Sequence, residues 1–201
     1  MRTCVALMVA LAIAGSVVVA ADDPPKTKAA PQDPQAKFEP KSGPGVGQKY
    51  LERFVGDWVV TKSFYPRAGE PIHAQGTCRQ TMIHAGRFLQ SDFTFGEGEH
   101  ATSGMGMIGF EPATGLFTSF WTDSRQTGMS VRRSKDRFDG EQIVLYSKSL
   151  DETAQETRKS KTISRVEPGG RKIVHTQYAI SPEGEERLMM DLVMTRKTET
   201  P

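Results

Sequence analysis

The sequence predicts an all-β fold: an antiparallel up-and-down barrel of about ten strands, entered through a short N-terminal helix. Three observations lead there. Gly56-Asp57-Trp58 opens the first strand candidate, and Met194-Thr195-Arg196-Lys197 closes the last. If those two strands meet, Arg196 can lie across the Trp58 indole, a cation–π contact worth about 0.5–2 kcal/mol. Between them runs a series of short alternating segments, most of them closed by a Gly or Pro turn, with no helical block among them.

Taken in order, Tyr50, Leu51, Phe54 and Val55 follow helical spacing, and Gly56 is placed to stop that helix. Strand candidates follow at 57–65, 74–84, 87–95, 102–110 and 116–123. Pro66, Ala85-Gly86, Gly96-Glu97-Gly98 and the run from Glu111 to Gly115 separate them. Further candidates are 128–134, 141–149, 159–166, 171–180 and 186–196. Asp139-Gly140, Pro168-Gly169-Gly170 and Pro182-Glu183-Gly184 mark turns among these, whereas the charged stretch 149–161 carries no such signal. In the last strand Leu188, Met190, Leu192, Met194 and Arg196 share one face, a core-facing stripe that runs down to Trp58. Leu116 and Phe120 alternate with Phe117 and Trp121, so that strand is apolar on both faces. Such a strand is covered on both sides, by the helix or by a homodimer partner.

The region before the barrel reads as a targeting segment and a tether. Arg2, the apolar run 5–19 and the small Ala20-Ala21 pair predict a cleaved secretory signal over residues 1–21. The protein is then secreted or periplasmic and keeps no stable membrane anchor. Residues 22–45, rich in Pro, Ala and Lys, cannot bury enough apolar surface to order themselves and are expected to be a disordered linker. The barrel domain spans 46–201. Cleavage removes Cys4 and leaves Cys78 alone, without an internal disulfide partner and best placed as a buried thiol. Lys and Arg total 26 against 24 Asp and Glu, so no basic field marks a nucleic-acid partner.

Several motifs resemble one family. They are Leu51-x-x-Phe54-x-Gly56-x-Trp58, Gly86-Arg87-Phe88-Leu89, Gly104-x-Gly106-x-Ile108-Gly109-Phe110, Thr114-Gly115-x-Phe117-x-x-x-Trp121-x-Asp123-Ser124 and Thr195-Arg196-Lys197. In this order they resemble the bacterial family catalogued as domain of unknown function 1579, over about residues 50–197. The resemblance implies a calycin-like barrel, related in shape to lipocalins and fatty-acid-binding proteins. It carries no activity and no catalytic residues.

Apparent catalytic motifs reduce to structure. Gly104-Met105-Gly106-Met107-Ile108-Gly109 fits the dinucleotide pattern, but Phe110-Glu111-Pro112 prevents the helix that phosphate binding requires. The glycines are better suited to a curved strand or to close approach of a ligand. Gly128-Met129-Ser130-Val131-Arg132 lacks the last glycine of a serine-hydrolase elbow. His73, His84, His100 and His175 show no metal-ligand spacing, and no metal or other cofactor is expected. His175, in mid-strand, is the one haem-ligand alternative, against the commoner solvent-facing strand histidine.

The candidate ligand-binding residues are Trp121, Asp123 and Ser124 at a strand end, His175, and Met105, Met107 and Met129. With Met190 and Met194 the methionines would form a soft lining. Trp58 and Arg196 are assigned to barrel closure. Asp92 with Arg125 or Arg133 offers a charged interior. Counting strands from Trp58 places Asp123 at the opposite rim. The expected function is binding of a small, partly apolar ligand, because ten strands enclose more space than side chains readily fill. An enzyme acting inside the barrel through Asp123 or His175 is one alternative, and an envelope interaction module with an apolar outer face is another.

Overall fold

The computed structural model describes residues 33–39, 41–150 and 156–198. Residues 1–21, expected to be a secretory signal, and residues 22–32 of the expected linker lie outside the described residues, as do residues 151–155 of the charged stretch. The chain divides into two units, 1–41 and 42–201. In the first, residues 34–38 form hydrogen-bonded turns and Lys41 pairs with Asp33 at 2.6 Å. No described helix is long and apolar enough to cross a membrane.

The second unit is a closed antiparallel barrel of ten strands with one short helix, α1 (Val46–Glu52). In chain order the strands are β1 (Gly56–Phe64), β2 (Ile72–Ile83), β3 (Phe88–Phe95), β4 (Thr102–Glu111) and β5 (Leu116–Asp123). Then come β6 (Ser130–Arg133), β7 (Ile143–Leu150), β8 (Glu156–Val166), β9 (Lys172–Ile180) and β10 (Glu186–Arg196). Each strand pairs with its sequence neighbours, and β1 pairs with β10 to close the ring. The helix ends at Glu52, four residues before the expected stop. Gly56 instead begins β1 with φ +138°, a backbone conformation that a side chain would strain.

Closure rests on a few side chains. Trp58 is fully buried and donates from Nε1 to the Phe54 carbonyl at 2.9 Å. Arg196 is its register partner, and the guanidinium carbon lies 4.2 Å from the indole centroid. Arg196 also donates to Val55 O at 2.8 Å and to Gly170 O at 3.1 Å, tying β10 to the α1–β1 junction and to the turn before β9. A Cβ on Gly56 would stand 2.2 Å from this guanidinium, so glycine is required here for space as well as for φ.

The helix forms the floor. Gln48 accepts from Gly45 N at 2.7 Å and donates to Phe110 O at 2.7 Å, so both ends of its amide are used in a buried place. Leu51 and Phe54 point into the barrel and are 0% and 3% exposed. Beside them Tyr50, Phe110, Phe117 and Phe138 pack as tilted and edge-on rings, with centroids 4.9–6.3 Å apart. The Tyr50 hydroxyl donates to Glu141 O and joins the helix to the segment before β7.

Two register features correct the alternation read from sequence. A bulge between Leu188 and Met190 shifts the β10 pairing, so Leu188 sits opposite Tyr178 whereas Met190 sits opposite Gln177. Gln177 and Met190 line the interior, and Leu188 therefore leaves the core stripe for the outer face. In β5 the parity settles which apolar face is inside. Phe117 and Trp121 pack inward, while Phe120 pairs with Val131, which is 57% exposed on the outside.

Candidate functional site

The barrel encloses a cavity of about 750 Å³, running from the floor at Leu51 and Phe54 to an open rim at Phe64, Phe95, Asp123 and Arg125. That volume lies within the range of small-molecule sites, about 300–1,000 Å³. Strand direction explains the two ends. β1 and β5 run the same way, so the start of β1 with Trp58 is at the floor and the end of β5 with Asp123 is at the rim.

The rim is aromatic and charged. Trp121 donates from Nε1 to Asp123 Oδ2 at 2.9 Å and meets Phe93 edge-on at 5.4 Å. The indole lies against the glycines of β4: a Cβ on Gly104 would be 2.3 Å from the ring, and one on Gly106 3.3 Å. The close approach those glycines permit is therefore that of Trp121. Asp123 also accepts from the Arg125 amide at 2.9 Å. Burial raises its pKa, but the Trp121, Arg125 and Gln126 hydrogen bonds and the Lys62 charge outweigh burial and leave it below the usual value. Lys62 projects inward from β1, with Nζ 4.5 Å from the Phe64 centroid and 4.8 Å from that of Phe95. Burial lowers its pKa, opposed by Asp123 and assisted by Arg125.

Below the rim the wall turns polar. Gln80 on β2 donates to Ser91 Oγ at 2.8 Å, and its buried Oε1 has no partner. Across the barrel Arg132 projects inward from β6, its Nε buried and unpartnered. His175 lies on β9 with Nδ1 2.7 Å from Ser164 Oγ on β8, which leaves Nε2 without a hydrogen-bond partner among the described residues. Nε2 is thus the ring atom an axial ligand would use. His175 does not face solvent outside the barrel; its accessible surface opens on the cavity. Burial, and then the nearby Arg132 charge, push its pKa down to about 4.

The His175 shift has a measurable consequence. The ring titrates near 6.5 when unfolded and near 4 when folded, so between these pH values the unfolded chain binds more protons. Stability present above pH 6.5 is lost as the pH falls through this window. The loss from this residue is expected to be about 2 kcal/mol between pH 7 and pH 5. Urea melts at both pH values should show that increment in the wild type and its absence in His175→Asn. Equal pH dependence in the two proteins would refute a neutral buried imidazole.

The sequence-derived residues divide between interior and exterior. Trp121, Asp123 and His175 reach the cavity, as do Met190 and Met194. Met107 borders it, but its register partners Gln90 and Phe120 put the side chain outside. Met105 pairs with Asp92 and Thr122 on that same outer face, and Met129 is 63% exposed, so neither contributes to a methionine lining. Ser124 extends the β4–β5 pairing at the rim: its Oγ accepts from Ser103 N at 3.0 Å and its amide donates to Ser103 O at 2.8 Å. Asp92 and Arg133 face outward, Asp92 bound to Gln90 and Arg133 3.5 Å from Glu111. The arginines that line the cavity are Arg125 at the rim and Arg132 below it. Sequence reasoning missed Arg132, Lys62 and the Gln80–Ser91 pair. Parity in β6 was the available signal, since Arg132 alternates with exposed Val131. Cys78 is 2% exposed, opposite Trp58 and Phe93; burial, then Asp92 and Asp57, raise its thiol pKa and leave it unreactive. Among the described residues no cluster of His, Cys, Asp or Glu is placed to hold a metal.

Comparison with known proteins agrees with this architecture. Residues 43–196 match a family described as protein of unknown function (DUF1579). Among solved structures, Rv2717c from M. tuberculosis superposes with a TM-score of 0.54 at 15% identity, over 78% of this chain and all of that one. The S-type phycobiliprotein lyase CPES from Guillardia theta gives 0.52 at 10% identity, over 77% of this chain and 94% of that one. At these identities the likeness is one of fold. No curated protein matches the chain at a significant level.

Proposed function

This chain belongs to the DUF1579 family, and we propose that it is an exported container for a small, partly apolar molecule bound inside the barrel. The cavity carries the reading: about 750 Å³, an apolar floor, an aromatic rim and a few polar groups between them. Export rests on Arg2 and the apolar run 5–19 at the N-terminus. The phycobiliprotein lyase on the same fold supports a small-molecule role, and it equally supports an enzyme.

The test is uptake of N-phenyl-1-naphthylamine, an uncharged fluorescent probe that brightens in apolar surroundings. One equivalent should bind to the full chain. Ser119→Phe, which fills the cavity wall opposite Ile108 and Arg132, should weaken binding at least tenfold without loss of the fold by circular dichroism. Absence of probe binding, or the same affinity in the filled variant, would sink the container. Native mass spectrometry of protein from its own host then identifies the natural occupant.

The Ser164–His175 pair favours a second reading, chemistry on the bound molecule. A neutral imidazole hydrogen-bonded to a hydroxyl inside a cavity is the start of a base–nucleophile arrangement. Asp123 is the weaker acid/base candidate, because its oxygens already bind the Trp121 indole and the Arg125 amide. A bound molecule whose mass changes during incubation, with His175→Asn arresting the change, would establish this reading over simple storage.

A further inference from the structure

The cavity holds an unbalanced charge. Among the described residues, Lys62, Arg125 and Arg132 line it against a single carboxylate, Asp123. Asp123 stands at the rim and is engaged by Trp121 and the Arg125 amide. Arg132 lies deeper: Ser130 pairs with Trp121, and Arg132 is the next inward position toward the floor, opposite Ser119. Its Nε is buried without an acceptor, and it has no ion-pair partner among the described residues. Burial lowers the guanidinium pKa, and its charge is felt at His175 across the barrel. A guanidinium withdrawn from water is costly unless an anion meets it. The neighbouring residue at the surface, Arg133, reaches Glu111, so among the described residues a carboxylate meets the outward arginine and none meets the inward one.

We propose that the molecule held in the barrel is an organic monoanion, an apolar or aromatic body with one carboxylate- or sulfonate-type oxyanion head that pairs with Arg132 below the rim. This rests on the container reading and narrows it. The planar fork of the guanidinium suits a flat or tetrahedral oxyanion. His175 can supply a further neutral hydrogen bond from Nε2 in the tautomer in which Ser164 donates to Nδ1. One deep cation argues for one charge: Lys62 and Arg125 sit near Asp123 at the rim, and the floor beneath is closed by Leu51, Phe54 and Leu89. A polyphosphate head would leave charges facing those apolar groups. A cationic ligand would meet like charge on entry and again at depth.

Two probes that differ by the anion alone test this. 8-Anilino-1-naphthalenesulfonate is N-phenyl-1-naphthylamine with a sulfonate added. Both are titrated into the full chain, by fluorescence and calorimetry, for wild type, Arg132→Met, Arg132→Gln and Lys62→Met. The wild type should bind the sulfonate at least tenfold more tightly than the neutral probe, with one-to-one stoichiometry. Arg132→Met should bring the two affinities within about twofold while leaving the neutral probe bound. Arg132→Gln serves the same purpose if the methionine variant fails to fold. Lys62→Met should retain most of the anion's advantage. Neutral-probe binding with no preference for the sulfonate in the wild type would overturn the monoanion while leaving the container standing. So would a preference that survives at Arg132 and disappears at Lys62. Failure of both probes would remove the container itself.

Discussion

Arg196→Ala is expected to lower stability by about 3 kcal/mol, more than a surface arginine would cost. The guanidinium stacks on a fully buried indole at 4.2 Å, a contact worth about 0.5–2 kcal/mol. It also supplies charged donors to Val55 O and Gly170 O, and hydrogen bonds of that kind contribute about 1.5–3 kcal/mol. These contributions share one side chain and do not add fully. Urea denaturation measures the loss. A Trp121→Phe background leaves Trp58 as the sole tryptophan, and its emission should shift as water reaches the ring. Arg196→Lys restores the charge without the fork and should recover less than half of the stability. A loss under 1 kcal/mol with an unchanged spectrum would show that the β1–β10 seam closes without this contact.

Leu51→Ala should cost about 3 kcal/mol, for a different reason. Leu51 is fully buried beneath the cavity, and α1 is held rigidly by Gln48, Tyr50 and the Trp58–Phe54 hydrogen bond. The helix is also pressed close to the barrel: a Cβ on Gly47 would lie 2.2 Å from the Phe110 ring. A helix so fixed cannot settle into the space that the lost side chain leaves, and Leu→Ala losses of about 2–5 kcal/mol follow in that case. Val46→Ala, on the exposed side of the same helix, should stay within about 0.5 kcal/mol. Equal effects at the two positions would mean that α1 is not the floor of the barrel.

Much of the fold was legible because its determinants are local. Gly and Pro punctuate most of the turns, and alternation over five to ten residues is a property of each segment by itself. The Trp58–Arg196 pairing could be read because the first and last strands of a closed up-and-down barrel must be neighbours. The rim position of Asp123 follows from counting strand directions. The bulge at Met189 was not legible, since it arises where β10 must match β9 and carries no turn residue of its own. It carried Leu188 out of the stripe assigned to it.

The site was legible in part. Trp121, Asp123 and His175, named from the sequence, line the cavity, but several of the contacts that shape their surroundings come from other strands. The Trp121 ring rests on Gly104 and Gly106, and His175 is bound by Ser164 and held neutral beside Arg132. Arg132 enters the barrel by the parity of the four-residue strand β6, in which it alternates with exposed Val131, whereas the sequence pointed to Arg125 or Arg133. Met105 and Met129 were given to a lining by their chemistry, and strand parity put them outside.

By itself, then, the sequence determined the strand pattern, the closing pair and the polar end of β5, all of which depend on residues near one another or on chain order. Tertiary structure alone decided which arginine enters the barrel, how the His175 ring is buried and how much space remains. Those outcomes depend on distances between side chains from strands far apart in sequence. A buried charge, a depressed pKa and an empty volume are properties of what surrounds a residue, and here the closing of the ring supplies those surroundings.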